Sequence, residues 1–263
     1  MDALVGERRI SYDARGLAEP TADVPHVSEV SGTSAVFDAA DLTTRQINLE
    51  LRSLLYEQGV TDVTVKNPGS KHSIGVGILT RCKITYEGSL GYFGCGLIDG
   101  PEVHITGRVG WSACENMMSG VVVIESNAGS LTGAALRGGD IVVKGRVGAR
   151  SGIDQKGGTI VTLGSAGSMT GFMMQRGHQI ICGDAGPGLG DSMYDGIIYV
   201  GGKVKALGID CVPGEWTDAD TEFVNRKFSI YRLGTPPDFQ KFVCGKKLYN
   251  YDNLEPSERK LVL

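Results

Sequence analysis

Residues 121–152 read VVVIESNAGSLTGAALRGGDIVVKGRVGARSG, and laying the second half beneath the first puts Val142 under Val123, Gly148 under Gly129 and Gly152 under Gly133, each 19 residues on. The register holds well beyond this stretch. Gly110, Gly129, Gly148, Gly167 and Gly186 form one column, and Gly133, Gly152, Gly171 and Gly190 form another, with Cys95 and Cys114 ahead of them. Two further columns run from Gly107 to Gly202, with Ser126 in one place, and from Gly120 to Gly196. The unit is therefore G-xx-G-xxx-G, five more residues, another glycine and a short apolar run: VHI (103–105), VVVI (121–124), IVV (141–143), IVTL (160–163), QIIC (179–182) and IIYV (197–200). Runs this short and this rich in β-branched residues are strands. The period is too short for the helix pairs of α-solenoids and lacks the leucine pattern of a horseshoe repeat. What remains is an all-β fold, a single-stranded parallel β-helix with about 19 residues per turn and roughly seven turns between Val63 and Cys211. Right-handed coiling is expected of parallel connections. Equivalent residues then lie ~4.8 Å apart in ladders, and the glycines mark corners that need positive φ or a close approach to the next turn.

Alternation along each strand sorts the ladders into faces. Ile84, Val103, Val122, Ile141, Ile160, Gln179 and Ile198 point inward, as do Tyr86, Ile105, Ile124, Val143, Thr162, Ile181 and Val200 two places on. Val109, Ala128, Val147, Ala166 and Ala185 suit a narrow part of the core. Between the first two ladders stand Thr85, His104, Val123, Val142, Val161, Ile180 and Tyr199, which alternation turns outward. An outward apolar ladder needs a cover, supplied either by a partner or by a terminal segment of the same chain.

Three regions follow. Residues 1–61 hold an N-terminal arm and a capping helix, 62–211 the coil, and 212–263 an irregular tail that caps the far end or docks elsewhere. The helix spans about Thr43 to Gln58, with Thr43 and Gln46 as a capping box, Ile47, Leu51, Leu54 and Leu55 as its apolar stripe and Gly59 as its stop. In the tail, TDADTEFVNRKF reads as a short helix.

The 39 glycines among 263 residues, about 15% against a usual ~7%, are thus accounted for by corners. A formal charge of -4 offers no basic field for nucleic acid. No window resembles a membrane span or a signal peptide, so a cytoplasmic protein with no membrane partner is expected. Cys82, Cys95, Cys114, Cys182, Cys211 and Cys244 lack any CxxC pair and read as reduced, mostly buried thiols.

No stretch carries a catalytic, cofactor or metal signature. GYFGCG (91–96), GSAGSMTGFMMQRG (164–177) and GPGLGD (186–191) mimic phosphate loops, but each leads into another strand rather than a helix. His26, His72, His104 and His178 have no ligand-spaced mate, and Glu125, Asp140, Asp154 and Asp184 share no column that would gather acids on one face as in a carbohydrate-active β-helix.

Phased over several turns, the G-xx-G-xxx-G unit resembles the C-terminal β-helix (GXGXG) domain of the glutamate synthase large chain, over about residues 60–210. The likeness extends to stand-alone subunits of N-methylglutamate synthase-type and other glutamine amidotransferase-like complexes. It implies a non-catalytic subunit that binds no cofactor, packed in a hetero-oligomer between an amidotransferase-type subunit and an FMN-dependent synthase-type subunit. There it would help enclose the passage of ammonia, with FMN and an iron–sulfur cluster carried by a partner. The same fold family includes a subunit of formylmethanofuran dehydrogenase, which is the second expectation. A free-standing carbohydrate-active enzyme is the third.

Overall fold

The computed structural model describes residues 29–245; the arm before Glu29 and the tail segment KKLYNYDNLEPSERKLVL lie outside the described residues. It is a parallel β-solenoid of about eight turns. The main sheet stacks β2 (Ser34–Asp38), β3 (Asp62–Lys66), β4 (Lys83–Glu87), β5 (Asp99–Ile105), β6 (Ser119–Ile124), β7 (Asp140–Val143), β8 (Lys156–Thr162), β9 (Arg176–Ile181) and β11 (Ile197–Val200), while β1 (Glu29–Ser31) runs antiparallel on β2. The pairing series Lys83, Glu102, Val121, Asp140, Thr159, His178, Ile197 keeps the 19-residue step throughout. The coil is one turn longer than the glycine columns indicate. Strand β2 lies before the helix, and the inserted helix throws its pairing of Ser34 with Asp62 out of the period.

Both inward ladders are buried from Ile84 to Ile198 and from Tyr86 to Val200. The small-residue ladder from Leu90 and Val109 to Ala185 forms a second face of single-residue bridges, closed by β10 (Ala185–Leu189) against β12 (Val204–Leu207). The interior tolerates Gln179 and Gln155 because glycines surround them; Gln155 Nε2 donates to the carbonyls of Gly157 and Gly158 at 2.9 and 3.1 Å.

The corner glycines divide by physical cause. Gly133, Gly152, Gly171 and Gly190 have φ of 62 to 72°, the left-handed region, and Cys95 and Cys114 hold the same conformation in the turns before them. Gly110, Gly129, Gly148, Gly167 and Gly186 have ordinary φ and are small for a different reason: a Cβ on Gly148 would lie 2.7 Å from the Gly129 carbonyl carbon. Two more left-handed columns flank Gly133 with side chains where glycine would be expected, at Leu131 and Arg150 (φ 63 and 56°), a column that reaches glycine only at Gly188, and at Ala135 and Asp154 (52 and 55°). Such residues cost roughly 1–2 kcal/mol of backbone strain each. The strain is held by the bonds it permits, since the N–H groups of Leu131 and Ala135 donate to the following turn at Ala149 and Ile153, and that of Gly133 donates to the preceding turn at Ala113.

Both ends are closed. Helix α1 (Thr44–Arg52), continued by a π-turn over Ser53–Glu57, begins with the Thr43–Gln46 capping box and buries Ile47, Leu51, Leu54 and Leu55. It stands in for the missing preceding turn: Asn48 donates to the Ser73 carbonyl and accepts from the Gly75 N–H, both at 2.8 Å, while Arg52 donates to the Val76 carbonyl. Polar backbone at the first edge is thereby satisfied, as a buried edge requires. At the other end β14 (Gln240–Cys244) runs antiparallel on β11 and is itself paired with β13 (Cys211–Pro213). Phe242, opposite Ile198, is 4% exposed and plugs the last turn. Residues 212–245 thus carry the end of β13, α2 and β14, of which β14 closes this end of the coil.

Candidate functional site

The outward ladder is divided into two halves. Helix α2 (Asp218–Tyr231) lies across Val142, Val161, Ile180 and Tyr199, all 0–1% exposed. Its Val224 and Phe228 are buried there, joined by Phe223, Tyr231, Leu233 and Phe239. Those four ladder residues, together with Val123 the candidate face for a partner or a cover, are thus covered by their own chain. Thr85 and Val123 stay half-buried and His104 exposed. The signal for this cover was present as Val224, Phe228 and Tyr231 at helical spacing; which surface they would meet was not.

Two largely shielded ion pairs fix α2. Toward its C-terminal end, Lys227 Nζ lies 2.7 Å from Asp140 at the start of β7, and the Tyr231 hydroxyl donates to the same carboxylate. Toward its start, Asp220 completes a capping box with Thr217, accepts from Tyr199 at 2.7 Å and pairs with Lys241 of β14 at 2.8 Å. Burial draws the Asp220 carboxyl upward, but the bonds from Lys241, Thr217 and Tyr199 outweigh it and hold it well below the usual carboxylate range. The same environment raises Tyr199, through burial first and then Asp220. His178 packs on Phe223 with ring centroids 4.1 Å apart; burial, then the charge of Lys227, lowers its pKa.

Both depressed values give the same sign. Each group contributes stability above its unfolded pKa, near 6.5 for the histidine and 3.9 for the aspartate, and that stability is lost as pH falls toward the folded value. Asp220→Asn is expected to cost about 2–4 kcal/mol at neutral pH by leaving Lys241 buried without its counter-ion. Unfolding by denaturant from about pH 5 to about pH 2 checks this: the gap between wild type and variant should close in acid, and a constant gap would refute the assignment.

Beyond the end of α2 the ladder opens into a groove of about 420 Å³ lined by Thr85, Glu102, His104, Val123, Ile230 and Tyr231. A second hollow of about 600 Å³ shares Lys83, Glu102 and Val121 with it and extends to Arg81 and Asp62. The acids weighed for catalysis are each engaged locally. Glu125 bridges His104 and Lys144 at 2.8 Å, Asp154 pairs with Lys156, and Asp184 accepts from the Lys203 N–H. Among the described residues no group of three or more His, Cys, Asp or Glu side chains is placed to hold a metal ion, and no helix is long and apolar enough to cross a membrane. Cys82, Cys95, Cys114 and Cys211 are buried, Cys182 and Cys244 half-buried, and none of the six is in a disulfide in this structure.

Neither the comparison with protein-family models nor that with curated proteins returns a match for this chain. Its assignment as a β-helix rests on its own residues.

Proposed function

We propose that the chain is a non-catalytic β-helix subunit of a glutamate synthase-type complex serving glutamate or N-methylglutamate synthesis. It would hold an amidotransferase-type subunit against an FMN-dependent synthase-type subunit and help enclose the passage of ammonia between them, with FMN and an iron–sulfur cluster in the partners. The observation that carries this reading is the open half of the outer ladder: Thr85 and Val123 are only half-buried and His104 is exposed along a groove, while α2 seals the rest. A coil whose turns are locked by backbone hydrogen bonds suits the task, because fixed distance and orientation between two sites is what such transfer requires. Enclosure keeps the intermediate from water.

The reading is tested by affinity purification of the chain from its source. Recovery of a subunit with flavin absorbance together with an amidotransferase-type subunit is expected, and Val123→Asp should fold normally yet lose both. A stable monomer that retains neither, or a Val123→Asp complex indistinguishable from wild type, would overturn it.

A further inference from the structure

Strands β13 and β14 place Cys211 directly opposite Cys244. The adjacent pair Asp210–Gly245 is a hydrogen-bonded one, with Gly245 N–H donating to the Asp210 carbonyl at 2.7 Å, and the Gly214–Lys241 pair, three places along on the other side, is in phase with it, with Gly214 N–H donating to the Lys241 carbonyl at 2.8 Å. Alternation makes Cys211 and Cys244 a non-hydrogen-bonded pair, whose Cα atoms approach to about 4.5 Å with both side chains on one face. That spacing lies inside the range disulfides span, about 4.4–6.8 Å. Both sulfurs also converge on one corner. Cys211 Sγ occupies the space that a Cβ on Gly190 would fill, 2.8 Å from that position, and Cys244 Sγ donates to the Met193 carbonyl at 3.1 Å. None of the other four cysteines faces a cysteine across an antiparallel pair in the described strands.

We propose that Cys211 and Cys244 form a reversible dithiol–disulfide pair that staples the base of the excursion carrying α2. The two residues begin and end the segment that leaves the coil, crosses the outer ladder as α2 and returns as β14. A bond between them ties both ends of that excursion. The oxidant is a low-molecular-weight disulfide of the glutathione class. The thiolate of Cys244, the less buried of the two, attacks one of its sulfurs and releases one thiolate. Cys211, its thiol pushed up by burial to about 11, then loses its proton and attacks the Cys244 sulfur, and the second glutathione thiolate leaves. Two cysteine thiols are oxidised, one disulfide is reduced to two thiols, and the two protons go with the departing thiols.

The full chain, incubated with oxidised glutathione and quenched in acid, is mapped by peptide mass spectrometry. The expected product is one intramolecular bond joining the Cys211 and Cys244 peptides, reversed by dithiothreitol, with amide exchange across α2 slowed several-fold. Cys244→Ser should form no bond, and Cys211→Ala should stop at a glutathione adduct on Cys244. If Cys211→Ala does not fold, Cys244→Ser still decides, since its site is half-buried. Persistence of both thiols under oxidant, a bond that survives in Cys244→Ser, or a Cys211–Cys244 bond that leaves α2 exchange unchanged would each overturn the proposal.

Discussion

Val142→Asp is expected to lower stability by about 4 kcal/mol or more, a drop in melting temperature on the order of 10 °C. Val142 is fully buried between the sheet and α2, so the new carboxylate would be dehydrated. Lys227 is already engaged by Asp140, which stands two residues away on the same face and repels a second negative charge. Removing valine contacts adds a packing loss, but the unpaired buried charge dominates. The control is Val123→Asp in the same ladder, where half-burial at the rim of the α2 cluster limits the cost to about 1 kcal/mol. Thermal and urea unfolding of both variants measures the difference. Equal, small losses would mean that α2 does not clamp this face.

Gly148→Val should be as damaging through steric overlap. Its amide donates to the Ala128 and Gly129 carbonyls at 3.2 and 3.1 Å, which fixes the spacing between turns, and the new Cβ would lie 2.7 Å from the Gly129 carbonyl carbon before the two valine methyls are added. Relief requires parting the turns and breaking those bonds, a loss of about 3 kcal/mol or more. Arg150→Gly, two residues on, separates close approach from general corner sensitivity. There glycine relieves a left-handed arginine (φ 56°) while adding unfolded-state freedom, and the two effects nearly cancel, within about 1 kcal/mol. A Gly148→Val protein that melts with wild type would dispose of the stacked-corner account.

The coil was legible because its causes are local and repeated. A glycine at every nineteenth residue has one explanation if successive turns nearly touch, and the β-branched runs between glycines fit a pleated wall. The left-handed columns at Leu131 and Ala135 were not legible, since the strained residues there have ordinary side chains and only Gly133 between them signals the conformation. The strand at Ser34–Asp38 escaped for a related reason, because α1 interrupts the period before β3.

The sequence by itself determined the β-helix, the inward faces of its strands, the capping helix and the presence of an outward apolar ladder. These follow from periodicity, which relates each residue to neighbours at fixed separation. Only the tertiary structure decided which half of that ladder is covered, that Asp140 meets Lys227, that Asp220 meets Lys241, and that Cys211 faces Cys244. Those contacts join the aperiodic end of the chain to the coil, or pair two of its strands, and no repeat encodes their register. It is set instead by the burial of Val224, Phe228 and Phe242 and by the need to pair every charge buried with them.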